Sequence, residues 1–309
     1  MNCIPKILVL MTTYNGEKYI KEQIESIINQ KDVNVDIFVS DDSSTDSSYS
    51  ILKEYEKQGK IKLIRSKCGS AQKNFYNLIN LASEDYDYYA LSDQDDYWLE
   101  DKLTIAVNSL SKYKSTYPLL YSGTSIPVDE NLNVIKKSEY KHHLVNTVEE
   151  AFISSNSQGC TMVFNKCLLK LIKNKETKTS IMHDAWLHKT CIIVGGKIIF
   201  DKIPHMYYRQ HNNNVYSTLK KETKTERILK KIKFIFGNEQ AEMRSKLIYE
   251  WKGNFNNDLT TEAKRVFDEL IATKTSLCKR IKVIFSKRYR SKYRISYFKF
   301  IILVLRGKI

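Results

Sequence analysis

Three carboxylates stand within four residues at Asp93-Gln94-Asp95-Asp96. They follow Tyr88–Ser92, an apolar run that reads as a buried strand. Alternate side chains of an extended segment point the same way, so Asp93 and Asp95 are expected to face one site. Two hard oxygen ligands at the mouth of a sheet suit Mg2+ or Mn2+. Such a cation would most naturally hold a phosphate-bearing ligand. The alternative is an acidic loop that only caps the next helix.

What must position these groups is a sheet. Ile7–Met11, Val35–Ser40, Ile61–Arg65 and Tyr88–Ser92 read as strands. Between them, Glu17–Asn29, Ser47–Gln58 and Ala71–Ala82 have helical patterning, the first with Ile20, Ile24, Ile27 and Ile28 on one stripe. This alternation predicts βαβ units and a mostly parallel sheet. Ligands of such sheets sit beyond the carboxyl ends of the strands. Three polar clusters fall there: Thr12-Thr13-Tyr14-Asn15, Asp41-Asp42-Ser43-Ser44, and Asp93-Gln94-Asp95.

Farther along, Pro118–Ser125 is expected to be a strand, residues 126–156 carry no clear pattern, and Lys136–Asn146 reads as loop. Gly159–Phe164 forms a small apolar unit. A helix over Asp184–Val194 should lead through Gly195-Gly196 to a strand at Lys197–Phe200, and Tyr207–His211 to close the sheet. From about Thr218 onward the pattern is helix or linker.

The 309 residues are 42% hydrophobic with 4 prolines, which suits a globular chain with a real core. No apolar run approaches the roughly 18 to 20 residues of a membrane span. The start has no signal-peptide pattern, and six cysteines without C-x-x-C spacing read as reduced thiols. These features predict a cytoplasmic protein. The charge is uneven. Residues 1–216 hold 26 basic and 26 acidic side chains; residues 217–309 hold 24 and 9, which is all of the net +15. The chain therefore divides into a neutral body, 1–216, and a basic helical extension, 217–309.

Two phosphate-binding devices are missing: G-x-G-x-x-G after the first strand, and G-x-x-x-x-G-K-[ST]. Beside a carboxylate cluster, their absence points to a divalent metal as the group that neutralises phosphate. Five motifs in order now carry a resemblance: Thr12-Thr13-Tyr14-Asn15, Val39–Asp46, Ser92–Asp96, His183-Asp184-Ala185-Trp186, and Tyr208-Arg209-Gln210-His211. They resemble the GT-A fold glycosyltransferases of family 2, most closely the bacterial rhamnosyltransferase-type members that build surface polysaccharides. The likeness covers residues 5–216.

That resemblance implies a mixed, mostly parallel α/β sheet flanked by helices, and assigns roles. Asp41 would accept the imide N–H of uracil or thymine, an ionised carboxylate being acceptor-only; capping is its other reading. Thr12, Tyr14 and Asn15 would contact base and ribose, with Lys73 and Asn74 nearby on either the nucleotide or a solvated helix face. Asp93 and Gln94 would sit by the ribose, and Asp95 would bind the metal, joined by His211. The metal, Mg2+ or Mn2+, would bridge the diphosphate and act as Lewis acid on the leaving group. Asp184 would be the general base, with an N-cap as its alternative. Trp98 and Trp186 would line the sugar or acceptor pocket, or else belong to the core. Ser43 stands where many relatives have glycine.

Lys279–Lys308 contains 11 basic residues and no acid, with Leu277, Ile281, Ile284, Phe285, Tyr289 and Tyr293 near helical spacing. A basic amphipathic helix of this kind suits an anionic membrane surface, at the inner face of the cell membrane, where a lipid-linked or polysaccharide acceptor would be met. Packing on the catalytic body is the alternative. No nucleic-acid recognition motif accompanies the charge. The expected function is inverting transfer of a sugar from a nucleotide diphosphate, dTDP-rhamnose favoured, to an acceptor hydroxyl. A UDP-hexose or UDP-amino sugar donor is the alternative within that chemistry, and a non-catalytic glycan- or membrane-binding protein the alternative outside it.

Overall fold

A computed structural model describes residues 4–135, 144–154, 157–175, 177–211 and 239–309, together with residues 225 and 229. Seven strands form the main sheet: β1 (Lys6–Thr13), β2 (Asn34–Asp41), β3 (Lys62–Arg65), β4 (Tyr88–Ser92), β6 (Leu119–Ser122), β8 (Val163–Asn165) and β9 (Lys197–Phe200). Their order is β3-β2-β1-β4-β8-β6-β9, and only β8 runs against its neighbours. The first half alternates with helices α1 (Ile20–Ile28), α2 (Ser48–Lys57) and α3 (Ala71–Leu81), as the patterning predicts.

Strand β1 shows why this sheet lies inside. Ile7 through Met11 are all buried, the continuous apolar run of a strand covered on both faces. Period-2 alternation sends Ile7, Val9 and Met11 to one core, with α1, α2 and α4 (Lys102–Leu110). Leu8 and Leu10 go to the other, with α3, α6 (Lys166–Ile172) and α7 (His183–Ile193). Gly195, in the left-handed region at φ +75, turns the chain off α7. Gly196 then donates to the Cys191 carbonyl at 2.8 Å, and β9 begins.

One expectation is corrected. Tyr207–His211 does not close the main sheet. Its strand β10 (Met206–Arg209) lies in a separate three-stranded sheet between β5 (Tyr97–Trp98) and β7 (Ile126–Val128). The vacancy beside β6 is filled instead by β9, which the diglycine turn delivers to it.

The C-terminal helices are α8 (Glu239–Phe255), α9 (Thr261–Ala272), α10 (Leu277–Phe285) and α11 (Arg294–Leu305). They share one apolar cluster with the sheet. Trp251, Phe255, Phe267, Tyr289, Phe300 and Leu303 belong to the same core as Leu8, Phe75 and Leu187. Trp251 packs edge-on against Phe152 of α5 (Val148–Ile153) and donates from Nε1 to Thr190 Oγ1 at 3.1 Å. The boundary expected at 216/217 falls outside the described residues, as does the loop reading for 136–143.

Candidate active site

The site is built from loops at the carboxyl ends of β1, β2 and β4. Gln94 ties two of them together. Its Oε1 accepts from Thr13 Oγ1 at 2.6 Å and from the Tyr14 N–H at 2.8 Å, while Nε2 donates to the Tyr14 carbonyl at 3.0 Å. Gly16 lies so close that a Cβ there would stand 2.4 Å from the Gln94 amide. Thr12 and Tyr14 line the resulting cavity, Thr12 buried and Tyr14 exposed.

The second loop is held by its own side chains. Asp41 is fully buried and accepts from the Ser44 N–H at 3.0 Å and the Ser44 hydroxyl at 2.5 Å. Its carboxylate is thus committed to the turn and does not line the cavity, whereas Asp42 does. Asn15 joins this loop to the first one: its side-chain oxygen accepts from the Thr45 N–H at 2.9 Å. Asn15 and Ser43 both adopt positive φ, 49° and 60°. The Ser43 backbone thus takes the conformation that glycine prefers, held there as its hydroxyl donates to the Ser66 carbonyl at 2.6 Å. Asn74 is buried, lines the cavity and joins α3 to β2 through Ser40. Lys73 is exposed on the first turn of α3 and does not line it.

Asp93 and Asp95 both line the cavity, but not by the alternation of an extended strand. Residues 93–96 form a bend between β4 and β5. Arg209 fixes that bend. Its Nε donates to the Asp95 carbonyl at 2.9 Å, its Nη2 pairs with Glu22, and its guanidinium lies 4.5 Å over the Tyr19 ring. His211 stacks on Tyr19 and sets its Nε2 2.7 Å from Asp95 Oδ2. The carboxylates crowd one another. Burial first, then the charges of Asp95 and Asp184, pushes Asp93 up to about 7. Burial, Asp95 and Asp93 push Asp96 well above the usual carboxylate range.

Both Asp96 oxygens are sealed from solvent, with the Arg209 backbone and the Cys160 thiol close enough to favour the charged form. Ligand atoms of Asp93, Asp96 and Cys160 lie within 4.8 Å of one another. Cys160 is pushed up by burial and stays a thiol, a poor ligand for a hard cation. Asp93 and Asp95 offer hard oxygens toward the cavity, and a divalent cation would relieve their mutual repulsion, so this pair fits the group.

The start of α7 lines the same cavity. Asp184 lines the cavity, and burial raises its carboxyl, against the lowering effect of the Ala185 and Gly159 N–H groups. His183 is stacked on Phe75 with ring centroids 3.9 Å apart, and burial holds it down to about 3, hence neutral. Trp98 and Trp186 are core residues and do not line the cavity.

The cavity measures about 760 Å3 and runs from these carboxylates to the C-terminal helices. Its far wall includes Lys189 of α7, Arg244 and Trp251 of α8, and Ser296 of α11. Sequence reasoning missed these residues. A buried-helix pattern with a lone cation inside it, as at Lys189, was the available signal. Ser157, also on the wall, is hydrogen-bonded to His188 Nδ1; His188 Nε2 faces the Val145 carbonyl at 2.7 Å, so Nε2 bears the proton and Nδ1 accepts from Ser157.

Comparison with known proteins gives this arrangement a family. Residues 8–168 match the model of "Glycosyl transferase family 2". The chain is 37% identical over 221 residues to dTDP-rhamnosyl transferase RfbG of Shigella flexneri, covering 66% of this chain and 72% of that protein. Its fold is like that of S. aureus TarS 1–349, solved with UDP-GlcNAc, at TM-score 0.55 and 15% identity, covering 98% and 89% of the two chains. It is also like the mannosyltransferase PcManGT of Pyrobaculum calidifontis, solved with GDP-Man and Mn2+, at TM-score 0.52 and 14% identity, covering 99% and 88%. The fold is the GT-A fold of these glycosyltransferases, and the chain belongs to glycosyl transferase family 2.

Proposed function

We propose that this glycosyltransferase moves rhamnose from dTDP-rhamnose to an acceptor hydroxyl during surface polysaccharide synthesis, with inversion at the anomeric carbon. The observation that carries the reading is that Asp184 and the Asp93/Asp95 pair line one cavity, near enough for the Asp184 charge to act on Asp93. The 37% identity to a dTDP-rhamnosyl transferase supports the donor.

Thr12 and Tyr14 would hold base and ribose, with Asn74 and Gln94 fixing the walls. Asp41 and Asn15 would act by shaping the base pocket through the Ser44 and Thr45 turn, and Lys73 would lie at its exposed rim. Asp93, Asp95 and His211 would hold a divalent cation. When bound, Mn2+ or Mg2+ supplies charge neutralisation for the departing diphosphate. Asp184, its affinity for a proton raised by burial, takes the hydrogen of the acceptor hydroxyl as that oxygen attacks. The sugar–phosphate bond breaks on the opposite face. One base suffices, unlike the carboxyl pair of a glycoside hydrolase.

The extension would attach the enzyme to an anionic membrane. Leu277, Ile281 and Phe285 are exposed on one stripe of α10, with Lys282 next to it, while Val283 faces the core. Each basic residue near such a surface contributes on the order of 1 kcal/mol. Among the described residues no helix is long and apolar enough to cross a membrane.

Calorimetric titration of dTDP, UDP, GDP and ADP, with and without Mn2+ or Mg2+, tests the reading. Metal-dependent binding of dTDP supports it. Preference for UDP moves the donor to a hexose or amino sugar, and absence of all nucleotide binding removes the catalytic proposal.

A further inference from the structure

Lys189 and Arg244 bring two cations to the far end of the cavity, on α7 and α8. Part of their work is structural. Lys189 Nζ donates to the Ala151 carbonyl and approaches that of Ser154 at 3.4 Å, and Arg244 Nη2 donates to the Ile153 carbonyl at 3.3 Å. Both thereby close the carboxyl end of α5, where cations are favoured. That task leaves Arg244 Nη1 shut off from solvent with no partner.

Among the described residues no carboxylate forms an ion pair with either cation. Glu149 of α5 is engaged by Arg265 and Arg288, and Glu150 accepts from Ser291. Burial lowers Arg244 to about 10, and burial and then the charge of Arg244 lower Lys189 to about 7. One cavity therefore has an acidic end and a basic end. A buried, incompletely bonded guanidinium is costly unless an anion joins it.

We infer that the basic end binds an oxyanion of the phosphate class carried by the acceptor, held by Lys189 and Arg244. The inference rests on the glycosyl-transfer reading, since it places the acceptor's charged group across the cavity from the donor's. A diphosphate borne on a lipid and a free diphosphate share this chemistry.

The test is titration of the full chain with inorganic diphosphate in the absence of divalent cation. Binding is expected in the parent, weakened about tenfold or more by Arg244→Gln and by Lys189→Gln, as loss of a charge-assisted bond requires. Asp95→Asn should leave it unchanged. Arg244→Lys keeps the charge and the helix closure, and should retain most of the affinity, which guards against a variant that fails to fold. No binding by the parent, equal affinity in the glutamine variants, or an equal loss in Asp95→Asn overturns the inference. Geranyl diphosphate binding more tightly than inorganic diphosphate assigns the anion to a lipid; equal affinity assigns it to the free ion. Metal-dependent dTDP binding, read separately, should survive Arg244→Gln, so failure there would strike the transferase reading and not this site.

Discussion

Gly159 and His183 are in contact so close that no side chain fits between them: a Cβ on Gly159 would stand 2.6 Å from His183 Nε2 and 3.4 Å from Asp184 Cβ. His183 cannot retreat, because Phe75 is stacked behind it at 3.9 Å. Gly159→Ala should therefore displace the start of α7 and the Asp184 carboxyl with it. Misplacement by about 1 Å lowers turnover by roughly 100-fold. Steady-state kinetics of sugar transfer should show the loss in kcat, with nucleotide affinity kept. Unchanged kcat would mean that Asp184 does not need its present position.

The two carboxylate ends separate by substitution. Asp184→Asn should keep metal-dependent nucleotide binding and lose transfer by about 100- to 10,000-fold, the usual contribution of a general base. Asp95→Asn should lose the metal-dependent part of nucleotide binding. A product assay run beside calorimetry distinguishes them, and transfer at the parental rate by Asp184→Asn would exclude it as the base.

The C-terminal helices are part of the fold's stability. Trp251 is buried among Phe152, Phe267 and Thr190. Trp251→Ala should cost about 3–5 kcal/mol, measured by urea unfolding. A chain cut before Thr218 would leave the apolar faces of α5 and α7 uncovered and should aggregate. A soluble, cooperatively melting fragment would refute this.

Acid should expose the buried histidine. His188 is held down to about 4 by burial, whereas an unfolded histidine titrates near 6.5. Between these values the unfolded chain binds a proton that the native chain refuses. The stability from neutral His188 is thus complete above 6.5 and declines as pH falls toward 4. The gap in unfolding free energy between parent and His188→Gln should shrink on acidification, by on the order of 3 kcal/mol. A gap independent of pH would show that the fold leaves the His188 pKa at its unfolded value.

The βαβ half was legible because its signals are local. The five-residue apolar run of β1, the shorter apolar runs of β2, β3 and β4, and the isoleucine stripe of α1 mark these elements without distant help. The polar clusters after those strands were legible for the same reason. The small sheet was not, since β5 and β7 span only two and three residues and exist through pairing with β10. The far wall of the cavity was hidden by distance along the chain. Arg244 reads as one more cation in a basic extension until packing sets it against Ile153. The extension is itself divided: Tyr289 stacks on Phe300 inside the core, while Phe285, four residues earlier, is exposed.

The core that holds both Leu8 and Phe300 has a kinetic meaning. The C-terminal helices must dock before the outer faces of α5 and α7 are dry. Contacts of such long range are slow to form, because loop closure precedes the gain from burial. During synthesis α5 and α7 emerge first and wait, their outer apolar faces open, for helices made last. That interval is when this chain is most prone to self-association and most dependent on chaperones.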